Sequence, residues 1–307
     1  MTGTRLPFSH GGGTLRRLDV EFESVGTTLR GWLVLPDGAS VETPVPGVVM
    51  SSGFAGVKEG FLGNPFHDVM ADAGIAVLLY DHANTGASDG SPRQELDPAL
   101  QQQGYRDAIS FLGAREEVDT DRIGIWGTSY SGGHVIVVGA EDDRVRCVVS
   151  QAMTISGHRN LLRRHGADRY EAMRREWEDE RARVARGEAP RLVPAFGADS
   201  ESVRYQAARP IAERERWRNE ITVRSWELYD AYEPVASIAS VAPTPLLMMV
   251  CLDDTMTPAE DALAAYELAG EPKRLVTVPG THYAVYGEQF ATVSTAARDW
   301  FVEHLQP

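Results

Sequence analysis

Residues 124–134 read GIWGTSYSGGH and place two serines, Ser129 and Ser131, among small residues. The apolar run RIGIW precedes them, and a stretch of helix length, Tyr130–Ala140, begins beside them. A serine at a tight strand-to-helix turn is lifted off its sheet, and the crowded turn needs small residues two positions before and after it. Gly127 and Ser131 meet that need around Ser129, and Ser129 and Gly133 meet it by size around Ser131. Ser131 would already lie in the first helical turn, so Ser129 is the candidate nucleophile and Ser131 the small residue that lets the turn close. A serine hydroxyl attacks poorly until a base takes its proton. His282, in PGTHYAVY after the last apolar run, joins a late position to a strand end and a loop, and is the candidate base. His67 and His134 fall on predicted helices; His82 follows an earlier strand, where it lines the site at most.

The segment LDDTMTP offers Asp253 and Asp254 just beyond PLLMMVC, at the end of a strand where open α/β sheets gather their ligands. An aspartate there fixes the tautomer of the histidine and stabilises the imidazolium. A tetrahedral intermediate also needs donors for its oxyanion. The N–H of Tyr130, next to the nucleophile, is one; the loop SSGFAG supplies the other, with Phe54 preferred over Gly53. That loop lacks a phosphate-cradling G-K-[ST], and neither serine begins an S-x-x-K motif.

The elements that must position these groups follow from hydrophobic periodicity. RRLDVEFESV and TTLRGWLVLP alternate around Gly26 and predict a β-hairpin, after a loose arm at residues 4–13. VPGVVMSS, GIAVLLYD, RIGIWGTS, VRCVVSQ and PLLMMVCL are near-continuous apolar runs, the pattern of strands buried on both faces. Helix-length stretches separate them (Pro65–Ala73, Pro98–Ala114, Tyr130–Ala140, Pro258–Ala269), and RLVTVP with a helix from about Gln289 to Leu305 closes the chain. This alternation predicts a doubly wound, mostly parallel, eight-stranded α/β sheet. Residues 156–235 interrupt it with charged helical sequence and no clear strand, so the expected division is core over 1–155 and 236–307 and a helical cap over 156–235. Tyr170, Met173, Trp177 and Val184 form one apolar stripe there, and Trp217, Ile221, Leu228 and Tyr232 suggest another.

With 43% hydrophobic and 24% charged residues, the 307-residue chain has an ordinary globular composition. Its net charge of −14 speaks against nucleic acid as the main partner. No apolar run can span a bilayer and no signal-peptide core appears in the first thirty residues, so a cytoplasmic protein without membrane association is expected. Cys147 and Cys251 lie in apolar runs and read as buried thiols. Residues 156–235 hold 16 Arg against 15 acids, leaving a net −15 to the remainder. Those arginines read as a solvated, ion-paired helical surface, or as groups facing the site or an acidic partner.

GTSYSGGH, SSGFAGVKE and YDHANTGASDG together resemble the α/β-hydrolase superfamily from about residue 19 onward, standing for its elbow, its oxyanion loop and its D-x-R-G-x-G-x-S-D-G stretch. GVKE combined with the elbow resembles the dienelactone-hydrolase-like and polyketide-tailoring branch. The resemblance implies that Asp254, four before Pro258, is the triad acid rather than Asp253. Ser52-Gly53 stands where the family usually has His-Gly, and Ala83-Asn84 where it has Arg-Gly. Prolyl-oligopeptidase relatives carry a propeller and X-Pro dipeptidyl-peptidase relatives a C-terminal β domain; the chain length leaves room for neither, so peptidase activity is set aside.

The expectation is a serine hydrolase of the carboxylesterase or thioesterase kind, working without cofactor or metal on a bulky, mostly apolar small-molecule acyl substrate such as a secondary metabolite. His82, Trp177, Trp217, Trp226 and Tyr229 are the candidate pocket residues. An acyl-carrier protein is a candidate partner for the arginine-bearing cap, and a homodimer would bury its apolar stripes. An acyltransferase or an eliminating lyase is the alternative on the same scaffold, ahead of a non-catalytic ligand-binding protein.

Overall fold

The hairpin, the buried strands and the helices between them appear in a computed structural model that describes residues 15–306. The arm expected at residues 4–13 lies outside the described residues. Strands β1 (Arg16–Ser24) and β2 (Thr27–Leu35) are followed by β3 (Val45–Ser51), α1 (Phe66–Asp72), β4 (Ala76–Tyr80), α2 (Pro98–Gly113), β5 (Val118–Thr128), α3 (Tyr130–Glu141) and β6 (Val145–Gln151). The inserted segment supplies α4 (Gly157–Ala185), β7 (Leu192–Val193), α5 (Glu201–Ala208), α6 (Ile211–Arg214), β8 (Ile221–Thr222) and α7 (Val223–Asp230). The chain returns through β9 (Leu246–Cys251), α8 (Ala259–Leu268), β10 (Lys273–Val278) and α9 (Phe290–Leu305).

Eight strands form one sheet in the order β1-β2-β4-β3-β5-β6-β9-β10. The pairs β1–β2 and β2–β4 are antiparallel, and the remaining pairs are parallel. Alternate residues of each strand feed opposite faces. Val49, Leu78, Ile125 and Val148 pack with the inner residues of α2, α3 and α8. Val48, Val77, Trp126 and Val149 pack with those of α1 and α9. Covering helices on both faces explain why the central strands are apolar at every position. Sequence also sets the start of α2: Pro98 occupies the first turn, and Asp97 accepts from the N–H groups of Ala99 and Leu100.

The inserted segment packs on the molecule through its own aromatic cluster, in which Leu161, Tyr170, Met173, Trp177, Ile221 and Tyr229 join Ala55 and Tyr130. Two details of the expected stripes change. Val184 lies at the far end of α4 and is 44% exposed, so the buried stripe stops at Trp177. Ile221 is buried, but in the short antiparallel pair β7–β8 rather than on a helix, and Trp217 sits in a non-helical stretch. The i,i+4 spacing of those two residues mimics a helical face that the chain does not form. Gly166, with φ 71°, also breaks α4.

Arginines of the insertion mostly meet carboxylates: Arg183 and Arg191 reach Glu180 at 3.0 and 2.6 Å, and Arg159 reaches Asp261 of α8 at 3.1 Å. Cys147 and Cys251 are buried and unpaired with each other. Among the described residues no helix is long and apolar enough to cross a membrane.

Candidate active site

Strand β5 ends at Thr128 and α3 begins at Tyr130, leaving Ser129 alone to make the turn. Its backbone takes φ 57° and ψ −116°, a conformation that costs a non-glycine residue about 1–3 kcal/mol. Neighbours hold it there: Ser129 N–H donates to Gln151 O at 2.8 Å, and Ser129 O accepts from Thr154 N–H at 2.9 Å. A Cβ on Gly127 would stand 2.1 Å from Ser131 O, so the turn closes only with glycine at that position.

Beyond β10 the loop carrying His282 returns to this turn. His282 Nε2 lies 3.1 Å from Ser129 Oγ, and Nδ1 lies 2.6 Å from Asp254 Oδ2. His282 is buried at 3% exposure and Ser129 at 9%, so the contact is shielded from bulk solvent. Of the two aspartates after β9, Asp254 is the one that meets the imidazole. Asp253 instead accepts from Gly280 N–H at 3.0 Å and donates its own N–H to Gly280 O, steadying the loop that bears His282.

Asp254 accepts on both oxygens. Met256 N–H and Thr257 N–H donate to Oδ1 at 2.8 and 2.9 Å, and Thr257 Oγ1 is 2.8 Å from Oδ2. Burial alone would raise the Asp254 carboxyl; the facing His282 and the Thr257 donors outweigh it and hold the group below the usual carboxylate range. Thr257 is a site residue that its type alone does not announce. Its signal is the tight turn DDTMTP, in which a hydroxyl three residues on reaches back to the aspartate.

The loop after β3 approaches from the other side. A Cβ on Gly53 would lie 2.7 Å from that of Ser129, so backbone here packs directly against the serine. Phe54 N–H and Tyr130 N–H, the two expected oxyanion donors, have no hydrogen-bond partner among the described residues.

Ser129 and His282 open on a chamber of about 100 Å³, lined also by Phe54, Phe196, Trp226, Tyr229 and Tyr286. A larger cavity of about 810 Å³ adjoins it and shares Arg164, Phe196, Trp226 and Met256 as dividing wall. Of the expected pocket residues, Tyr229 lines the inner chamber, Trp226 lines both and Trp177 lines the outer cavity. Trp217 lines neither; the residues before it lie against the 58–63 loop instead, where Arg216 meets Glu59 at 3.5 Å. His82 also lies off the lining: it is buried behind the turn, with Nε2 2.8 Å from Ser131 Oγ. Phe196, Tyr205 and Tyr286 complete the wall without any chemical signature in the sequence. Arg164 lines both spaces; its one polar contact is Met256 O at 3.4 Å, and no carboxylate pairs with it among the described residues. No group of three His, Cys, Asp or Glu side chains among the described residues is placed to hold a metal ion.

A family model described as X-Pro dipeptidyl-peptidase (S15 family) matches residues 26–284. The match covers most of the chain, although the expected domain organisation had set that branch aside. Thiohydrolase aneE of Aspergillus aculeatus is 32% identical over 273 residues, covering 84% of this chain and 83% of its own. Polyketide transferase grgF of Penicillium sp. is 30% identical over 274 residues, covering 87% and 89%. The crystal structure of the alpha/beta hydrolase GrgF superposes with a TM-score of 0.79 at 28% identity, covering 95% of this chain and 99% of that one.

Proposed function

Because the chain belongs to the X-Pro dipeptidyl-peptidase (S15) family of α/β hydrolases, in its polyketide-tailoring branch, we propose that it cleaves an ester or thioester of a bulky, mostly apolar acyl substrate with Ser129, His282 and Asp254. The observation that carries this reading is the unbroken contact chain from Ser129 Oγ through both nitrogens of His282 to Asp254. In the first step Ser129 Oγ adds to the substrate carbonyl while its proton passes to His282 Nε2. Phe54 N–H and Tyr130 N–H receive the resulting oxyanion. Collapse expels the alcohol or thiol, which takes the proton from His282, and leaves an acyl group on Ser129. Water, deprotonated by the same nitrogen, then releases the acid and restores the serine. Asp254 stays ionised throughout and balances the charge that His282 gains.

The chamber at Ser129 measures about 100 Å³ and the adjoining cavity about 810 Å³, which supports a bulky acyl group that extends from the first into the second. Phe196, Trp226 and Met256 in the dividing wall support an apolar acyl group beside them. Labelling with a fluorophosphonate and mapping the adduct tests the nucleophile: the label is expected on Ser129 and absent from Ser129→Ala. A label elsewhere, or equal labelling of the variant, overturns the assignment.

The printed names of the relatives include a thiohydrolase and a polyketide transferase. An acyltransferase is therefore the second reading. Product analysis with an alcohol acceptor present separates them: free acid alone marks hydrolysis, and acceptor ester marks transfer. Arg164, which lines both cavities and meets no carboxylate among the described residues, supports a thioester delivered by an acidic acyl-carrier protein. Arg164→Ala is then expected to slow turnover of a carrier-bound thioester several-fold more than that of the same acyl group on a neutral thiol; an unchanged ratio removes the carrier.

A further inference from the structure

Ser131, the serine that this chemistry does not use, is wholly buried. Its Oγ stands 2.5 Å from Ser52 O and 2.8 Å from His82 Nε2. Donor rules place the protons. A carbonyl only accepts, so the single hydroxyl proton of Ser131 goes to Ser52 O. The remaining contact must run from His82 Nε2–H to Ser131 Oγ, which leaves His82 Nδ1 with a lone pair. Nδ1 is indeed buried without a hydrogen-bond partner, and burial holds the imidazole neutral, its pKa pushed down to about 3. With its proton committed to Ser52 and a neutral histidine behind it, Ser131 cannot serve as a second nucleophile.

The carbonyl it holds belongs to the peptide between Ser52 and Gly53. The next peptide carries the N–H of Phe54. Gly53 has no side chain to restrain either plane, and glycine is the residue for which such planes rotate most freely. The Ser52 hydroxyl lends no help, since its Oγ is buried without a partner. A turn closed from Gly56 N–H to Gly53 O at 3.0 Å also ties the loop.

We propose that His82 and Ser131 are positioning residues: the chain His82 Nε2–H to Ser131 Oγ–H to Ser52 O locks the peptide planes around Gly53, so that Phe54 N–H faces the oxyanion before substrate arrives. The device joins three segments, the ends of β3 and β4 and the first turn of α3, at a point where the family's usual His-Gly is replaced by Ser52-Gly53. It rests on the reading of Ser129 as nucleophile.

The test compares Ser131→Ala, His82→Phe and His82→Gln with the wild type, using a p-nitrophenyl ester for turnover. An alkyl trifluoromethyl ketone, whose serine adduct bears an oxyanion, and the matching methyl ketone, which binds unreacted, serve as ligands. Ser131→Ala and His82→Phe are expected to lower kcat by about 10- to 100-fold with KM nearly unchanged. They should weaken the trifluoromethyl ketone by the same factor and leave the methyl ketone unaffected. His82→Gln, which keeps an N–H donor at the end of the side chain, is expected to recover most of the loss. Full kcat and full trifluoromethyl ketone affinity in Ser131→Ala overturn the proposal, as does equal weakening of both ketones. Histidine ¹⁵N spectra of the wild type, which need no variant to fold, should show His82 as the neutral Nε2–H tautomer near neutral pH; the Nδ1–H tautomer overturns it. Failure of a fluorophosphonate to label wild-type Ser129 removes the nucleophile reading and this proposal together, whereas a labelled wild type with an unaltered Ser131→Ala removes only the proposal.

Discussion

Alanine in place of Ser129 or His282 removes the proposed nucleophile or base, and kcat toward an activated ester is expected to fall by about 10⁴-fold or more. Thr257→Val keeps the shape of that side chain but takes a donor from Asp254, and should cost about 10-fold in kcat/KM through a less firmly held imidazole. A second effect belongs to histidines away from the chemistry. His67 and His82 are buried, and burial pushes each imidazole down from 6.5 to about 3. Between those values the unfolded chain binds protons that the folded chain does not, so stability rises with pH and is lost as the medium is acidified through this window. Each group contributes a slope of up to about 1.4 kcal/mol per pH unit. Urea midpoints are expected to drop steadily from neutral pH toward pH ~4, and His67→Gln should flatten that drop; a midpoint independent of pH would contradict it.

At the scale of elements, the proposed reaction makes the wall between the two cavities the part that would set the range of substrates. Trp226 lines both, so Trp226→Ala merges them, and kcat/KM is expected to rise for long or branched acyl groups relative to short ones. A series of p-nitrophenyl esters of increasing length reads this directly. The sheet was legible in advance because a strand covered on both faces must be apolar throughout, as Val48, Leu78 and Ile125 are. The insertion was legible only as helical. Periodicity locates a stripe but not where along a helix the supporting surface ends, hence the exposed Val184. It also cannot separate a helical face from a chance spacing such as Trp217 to Ile221. Ser129, the pair Asp253 and Asp254, and His282 could be found from the sequence because each lies where a strand of the sheet ends, while the choice of Asp254 within the pair came from the resemblance to α/β hydrolases. The bonds of Ser131 to His82 and Ser52 could not, since they join residues 49 and 79 positions apart whose meeting depends on the packing of three segments.

For the molecule as a whole, two parts divide the work. The sheet and its loops hold Ser129, Asp254 and His282, and the insertion supplies Phe196, Trp226 and Tyr229 to the same chamber. Ion pairs stitch the parts together, Arg159 and Arg163 reaching Asp261 at 3.1 and 3.4 Å. The backbone of Ser129 has an effect that reaches past its site, because folding is cooperative and a strained residue lowers the stability of every part at once. A glycine there would adopt φ 57° without that strain, so Ser129→Gly is expected to melt roughly 2 °C higher than the wild type, a gain of about 1 kcal/mol after the extra freedom of the unfolded chain is allowed for. Thermal unfolding of the two proteins measures it. Selection for heat resistance alone would then discard the proposed nucleophile, and its persistence in a stable lineage would record continued demand for turnover rather than for the fold.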